Sequence, residues 1–499
     1  MNGFELEVMQ IPGHADAAAL FERVFAPGGA SFLFESSLVV PGFSRFTFMG
    51  DAHGRYGERI TYDVPTRTAT VHAQGGARAE RVESIFDFLE GRLAQRTLTC
   101  PTPLPFGFDL GYAGVFGYEV KAETIGAHPH RSTVADAAFL FATRMLVIDH
   151  IADETYLLHL VHDEVSRGEA QAWFASVRAT MAALATASAN GTAENVAPNA
   201  TSNTAPRRKL SLGDVQAWIA AHAEIRHSRD TYVDKIGEAL GEIVRGESYE
   251  ICLTNAITFE FREPPFSLYR TMRALSPAPH AAYFNAGEFA LVSASPERFL
   301  SVDRQRVAEA KPIKGTRPRG HTPDEDAAIV QQLRTSEKDR AENLMIVDLL
   351  RNDLGQVCEM GSVYVPKLFD VETYSHVHQL VSTVRGTLKP GVSSVDCIRA
   401  TFPGGSMTGA PKKRTMEIID RLEQGARGIY SGALGWFGTS GACDFSIVIR
   451  SVTISGGTAH LGVGGAITAL SDPNEEFDET MVKARGIVEA VQHVRAGVA

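Results

Sequence analysis

Lys314 sits in the stretch VAEAKPIKGTRPRG (Val307 to Gly320), between an apolar lead-in and a Gly315-Thr316 turn. Pro312 and Ile313 favour an extended approach, and Gly315 permits a turn whose backbone N–H groups face a ligand. The amine is then presented from a strand end, where a nucleophile or a charged anchor is useful; a solvated surface lysine has the same local signature. Glu297, in SASPERFL, follows Pro296 at another strand end. It is a general acid if burial raises its pKa, or an exposed partner of Arg298 if not.

Two acidic helix faces accompany them. Asp339 and Glu342 are spaced i, i+3, and Glu476, Glu479 and Lys483 are spaced i, i+3, i+7, so each set shares one face. Two such carboxylate pairs can hold a hard cation such as Mg²⁺ and leave places for ligand oxygens. Two solvated helices with Lys338–Glu342 and Glu479–Lys483 ion pairs give the same pattern. The loop FPGGSMTGAPK (Phe402 to Lys412), which carries Ser406, spaces Gly404 and Gly409 as a phosphate loop does. Ala410 and Pro411 stand where Lys and Ser or Thr are required, so Mg-ATP chemistry is excluded; a helix start that attracts an anion and a plain tight turn remain. Tyr430, Arg450 at the end of one strand, and Gly464-Gly465-Ala466 in the next place an arginine fork near exposed backbone, the way a carboxylate is gripped. A glycine cluster that only bends a strand is the plainer alternative.

Positioning these groups takes many strands. SFLFESS (Ser31 to Ser37), GYAGVFGYE (Gly111 to Glu119), Ser248 to Phe261, Phe289 to Val302, Phe445 to Ile454 and Ala459 to Ile467 read as strands. Ala17 to Val24, Val82 to Leu93, Val215 to Arg226, Asp230 to Arg245, Lys338 to Leu350 and Glu475 to Val494 read as helices. The pattern predicts an α+β protein with large, mostly antiparallel sheets. Ala183 to Pro206 is Ala, Thr, Ser and Asn with prolines, which predicts a flexible linker over 183–210 between an amino-terminal region, 1–182, and a catalytic domain, 211–499. A formal charge of -11 argues against a nucleic-acid partner. Five scattered cysteines with no CxxC pair read as inert thiols of a reducing compartment, and no apolar run is long enough for a bilayer. A cytoplasmic enzyme, without membrane or nucleic-acid partners, is the expectation.

The motifs SPERF, PIKGTRPRG, KDRAENLMIVDLLRNDLG, FPGGSMTGAPK, GIYSGALGWF, SIVIRS and DPNEEFDETMVKARG, in this order over most of Ser248 to Ala490, closely resemble the chorismate-utilising enzymes. The resemblance implies antiparallel sheets packed as a sandwich with helices outside, chorismate as substrate and Mg²⁺ as cofactor. It implies that Glu342 and Glu479 are metal ligands, with Asp339 and Glu476 beside them or bound through water. Tyr430, Arg450 and the Gly464, Gly465 and Ala466 backbone match the grip on the pyruvyl carboxylate. Lys483, Ser406, Gly315 and Thr316 would lie near the ring and its own carboxylate, and Glu297 matches the acid that protonates the departing 4-hydroxyl.

Lys314 stands where the anthranilate, isochorismate and salicylate branches are similar in having alanine or another small residue. Lysine there resembles the aminodeoxychorismate synthases, which place ammonia at C4. The resemblance implies a covalent Lys314 intermediate: the amine attacks C2 as the 4-hydroxyl leaves, then ammonia attacks C4 and expels the lysine. Only about one ordinary lysine in 2,500 is a free amine at pH 7. A desolvated pocket beside Mg²⁺ is therefore expected to lower the Lys314 pKa. Glu250 occupies the place of the water-activating lysine of the isochorismate branch, which disfavours attack by water. Gln379 stands where the family has His before LVST; His378 is one strand step away and faces the other side. With no GxCxGxQ segment, ammonia would come from solution or a separate glutamine amidotransferase. Tryptophan can occupy the family's amino-terminal sheet around SFLFESS, here with Phe34 where leucine is common. The alternatives are ortho-amination with loss of pyruvate, as in anthranilate synthase component I, and a catalytically silent chorismate-binding or regulatory subunit.

Overall fold

The run Phe289 to Val302, predicted as one strand, is two: Ala290–Ser295 lies in one large sheet and Arg298–Val302 in another. Phe445 to Ile454 divides the same way, with Cys443–Ile447 in the second sheet and Ser451–Ser455 in the first. Continuous apolarity persists through both crossings because both sheets bury these residues. Only Pro296, which has no N–H for a ladder, and Arg450, which takes a positive φ of 53°, mark the breaks. The computed structural model describes residues 3–39, 44–96, 98–127, 129–189, 209–374 and 377–497.

The first sheet has 13 strands and the second 12. The described ladders are antiparallel apart from the short parallel pairing of Leu98–Thr99 with Phe4–Pro12. Each sheet draws strands from both sides of residues 190–208: Ser31–Glu35 pairs with His280–Asn285 in the first, and Gly111–Phe116 with Ala433–Gly438 in the second. The sheets share one core, in which Phe48 of the first meets Trp436 of the second at 5.9 Å, and Trp436 stacks on Phe108 at 4.8 Å. A second core lies where helices, among them Glu164–Ala189, Arg229–Val244, Pro265–Leu275 and Pro473–Arg495, cover the other face of the first sheet through Trp173, Tyr232, Phe266 and Val488. Ile85–Ala94, Glu337–Val357 and Ser394–Thr401 add their apolar faces to the inter-sheet core. The helices sit outside and the sheets form the sandwich.

Predicted boundaries shift where local chemistry decides them. The helix expected to run to Arg226 ends at His222, and Ala223–Ile225 joins the first sheet as its edge. GYAGVFGYE is a strand only over Gly111–Phe116, after which Tyr118–Glu123 is a 3₁₀ turn. The linker reading fails at its start: residues 183–189 continue the Glu164–Ala189 helix, since alanine, read as a mark of low complexity, is also the best helix former. The rest of that stretch, 190–208, lies outside the described residues. All five cysteines are free, and among the described residues no helix is long and apolar enough to cross a membrane.

Candidate active site

The two sheet crossings and the two acidic helices meet at a cavity of about 810 Å³. Every residue expected to act on substrate or metal lines it: Glu297, Lys314, Gly315, Thr316, Asp339, Glu342, Ser406, Tyr430, Arg450, Gly464, Gly465, Ala466, Glu476, Glu479 and Lys483. Glu297 lies on the crossing out of the first sheet and Arg450 on the crossing back. Lys314 belongs to the edge strand Ile313–Pro318, whose register against Val377–Thr387 slips between Ile313 and Thr316. Gly315 makes that bulge possible. Its φ is +84°, and a Cβ there would stand 2.7 Å from the Asp339 carboxyl carbon. Gly462 serves packing instead. A Cβ there would lie 2.1 Å from Tyr430 Cγ, so the bare strand is the floor on which the tyrosine ring rests.

Glu297 is buried, and burial pushes its carboxyl up to about 7, with Lys314 and the nearby Ser406 hydroxyl opposing the rise. That carboxyl keeps a proton at neutral pH to a degree an ordinary glutamate does not. The Ser406 hydroxyl is itself buried and forms no hydrogen bond of good geometry among the described residues, which leaves it free for a ligand. Lys483 Nζ donates to the Gly464 carbonyl at 2.7 Å and pairs with Glu479 at 2.7 Å. Burial lowers the pKa of Arg450, with Tyr430 and Glu479 opposing. Its side chain is nonetheless open to the cavity rather than packed, and no hydrogen bond engages it among the described residues.

Lys314 does not behave as expected. Its Nζ donates to Glu250 Oε1 at 2.9 Å, with the side chains 12% and 0% exposed. Burial alone lowers the lysine pKa, but the Glu250 carboxylate outweighs it, helped by Glu342, and the pKa is raised. The expected lowering is thus overturned by an ion pair, which the lysine's local sequence conceals because Glu250 reaches it from the other sheet.

The carboxylates fit a hard divalent cation by chemistry, with oxygen donors drawn from two helices onto one cavity. Burial pushes Glu342 up to about 7, Glu250 and Asp339 adding to it and Lys314 and Lys338 opposing, a like-charge burden that a cation relieves. Glu476 is likewise raised by burial; burial also raises Glu479, but Lys483, Lys338 and Arg450 hold it low. As they stand, no three such side chains among the described residues converge closely enough to hold a metal. Asp339 accepts from Arg317 at 2.7 Å and Glu476 from Ser471 at 2.7 Å, each through one carboxylate oxygen, which leaves the other oxygen for an ion.

The family described as chorismate binding enzyme matches residues 54–489. The chain belongs to the chorismate-binding enzyme family. It is 47% identical to an aminodeoxychorismate synthase of Streptomyces pristinaespiralis, over 99% of this chain and 66% of that one. It is 49% identical to an aminodeoxychorismate synthase of Streptomyces griseus, over 95% and 62%. Identity to anthranilate synthase component 1 of Streptomyces coelicolor is 34%, over 95% and 86%. The chain thus spans just under two thirds of the first two relatives. The fold is that of anthranilate synthase component I from Streptococcus pneumoniae, with a TM-score of 0.66 at 24% identity over 90% of this chain and 93% of that one.

Within this chorismate-binding fold the Gln379 step resolves as strand alternation requires. Gln379 lines the cavity, while His378 is buried on the opposite face, bonded to Thr373 Oγ1 and Asp326 Oδ1 at 2.8 Å each. Three residues of the site do not stand out from the sequence. Lys338, Arg317 and Cys252 also line the cavity. The helical spacing presents Lys338 only as a solvated partner of Glu342; its place one residue before Asp339 is the available signal.

Proposed function

We propose that the chain aminates chorismate at C4, giving 4-amino-4-deoxychorismate, with Mg²⁺ and with ammonia supplied by a separate glutamine amidotransferase. The observation that carries this reading is Lys314 Nζ reaching the same cavity as the buried, proton-holding Glu297. The names of the Streptomyces relatives at 47% and 49% identity support it, as does their greater identity than that of the Streptomyces coelicolor anthranilate synthase component 1, at 34%.

In this reading Arg450, Tyr430 and the backbone at Gly464 to Ala466 grip the pyruvyl carboxylate. Lys483, Ser406 and the Gly315-Thr316 backbone orient the ring. Glu342 and Glu479 hold the metal, with Asp339 and Glu476 beside them. Bound there, Mg²⁺ supplies charge neutralisation for the substrate carboxylate. The Lys314 amine forms a bond to C2 as the C4–O bond breaks, and Glu297 gives its proton to the departing hydroxide, releasing water. Ammonia then bonds to C4 and the C2–N bond breaks, returning the lysine as a free amine. The new C4 ammonium passes its extra proton back to Glu297. Two displacements at the allylic ring give retention at C4.

Product analysis with chorismate, ammonia and Mg²⁺ tests this. The expected product is 4-amino-4-deoxychorismate, with no anthranilate fluorescence. Anthranilate with pyruvate would replace the reading with ortho-amination, and chorismate binding without turnover would leave a silent subunit.

A further inference from the structure

The reaction proposed above needs a free amine at Lys314, yet the fold holds this lysine as a charged ion pair. We infer that Glu250 is the proton acceptor and positioning partner of Lys314, taking one proton from Nζ before attack on C2 and returning it after the lysine is expelled. This rests on the reading of Lys314 as nucleophile and deepens it.

The geometry carries it. Glu250 Oε1 lies 2.9 Å from Nζ, a distance at which a proton passes directly. Within 4 Å this is the lysine's ion pair among the described residues, so the candidate metal carboxylates are not its immediate partner. Glu250 sits on the strand Glu250–Glu260, clamped on both sides by ladders to Ile467–Thr458 and Gly409–Ala410. The carboxylate is 0% exposed, and its other oxygen, Oε2, has no hydrogen-bond partner among the described residues. That oxygen is an acceptor site that no donor occupies among the described residues. The transfer leaves an amine and a carboxylic acid where an ammonium and a carboxylate stood, so the pair's net charge is unchanged and no proton enters from solvent. The other groups facing the pair are Cys252 on the same strand, Glu297 on the crossing and Glu342 on the helix Glu337–Val357.

Because the proton stays inside the pair, the Lys314 step in the parent enzyme has no pH dependence of its own near neutrality. In Glu250→Gln the amide preserves shape but takes no proton, so the lysine must lose its proton to bulk water. The test compares parent and Glu250→Gln by single-turnover formation of the covalent adduct from pH 6 to pH 9, with chorismate binding and Tm followed in parallel. The expected result is an adduct rate lower by about 100-fold or more at pH 7, unchanged chorismate affinity, and a variant-to-parent ratio that climbs with pH. Glu250 also helps to raise Glu297, so the variant loses its acid at lower pH, an effect that opposes the predicted climb and cannot produce it. A ratio near one at all pH values would overturn the inference, as would a uniform loss that pH does not relieve. So would a variant whose sole change is a higher KM for ammonia, which would assign Oε2 to the second nucleophile. Failure of the underlying reading looks different: Lys314→Ala would then turn over at the parent rate, and no adduct would form in either protein.

Discussion

In the proposed reaction two glutamates and one lysine divide the chemistry at the residue scale, and burial acts on Glu297 and Lys314 in opposite directions. Glu297 is raised to about 7, so it is protonated below that pH and loses its proton above it. An acid that must donate in the rate-limiting step makes kcat fall as pH rises through about 7. A pH–rate profile checks this: Glu297→Gln is expected to lower kcat by about 10²–10⁴-fold and to abolish that alkaline limb. Lys314 shows why a pKa argued from burial alone goes astray: the same desolvation that disfavours an ammonium strengthens its attraction to Glu250. The sequence made the lysine visible through its Gly-Thr setting, and placed Glu250 in the family's pattern, but the contact between them joins residues 64 positions apart and has no local signature.

At the element scale the site depends on places where a strand is interrupted. The crossings at Pro296 and Arg450 put an acid and a guanidinium at one cavity, and the bulge at Gly315 aims Lys314 inward. Strand and helix existence was legible from periodicity, and the helix Ala17–Val24 matched its predicted limits. The crossings were not legible, because a run buried in two successive sheets reads as one apolar strand. Alanine likewise conceals the end of the Glu164–Ala189 helix. Gly315→Ala is expected to cost about 1–3 kcal/mol through its positive φ and to push the new Cβ onto Asp339, disturbing lysine and carboxylate together. Denaturant unfolding measures the first effect and kcat the second. Gly462→Ala, by contrast, should displace Tyr430 and raise KM for chorismate more than it lowers kcat if that ring serves the proposed substrate grip and not the reacting atoms.

For the whole molecule, two sheets built from strands of both chain halves bring acidic helices distant in sequence to one cavity, where burial raises Glu342 and Glu476. Glu342, raised to about 7, illustrates the consequence. Protons and a cation compete for it, so apparent Mg²⁺ affinity should weaken as pH falls below about 7, measurable by titration of activity at several pH values. Mg²⁺ should also raise Tm, an effect that Glu342→Gln or Glu479→Gln diminishes along with the metal dependence of turnover. An unaltered metal titration in both variants would place the ion elsewhere.

The most direct measurement is the mass of the protein after incubation with chorismate and Mg²⁺ in the absence of ammonia, with peptide mapping of the product. The predicted result is a mass gain of chorismate less one water, confined to the peptide containing Lys314 and discharged when ammonia is added. Formation of the 4-amino product by a protein that never carries that mass, or that carries it on another residue, would contradict the covalent role of Lys314.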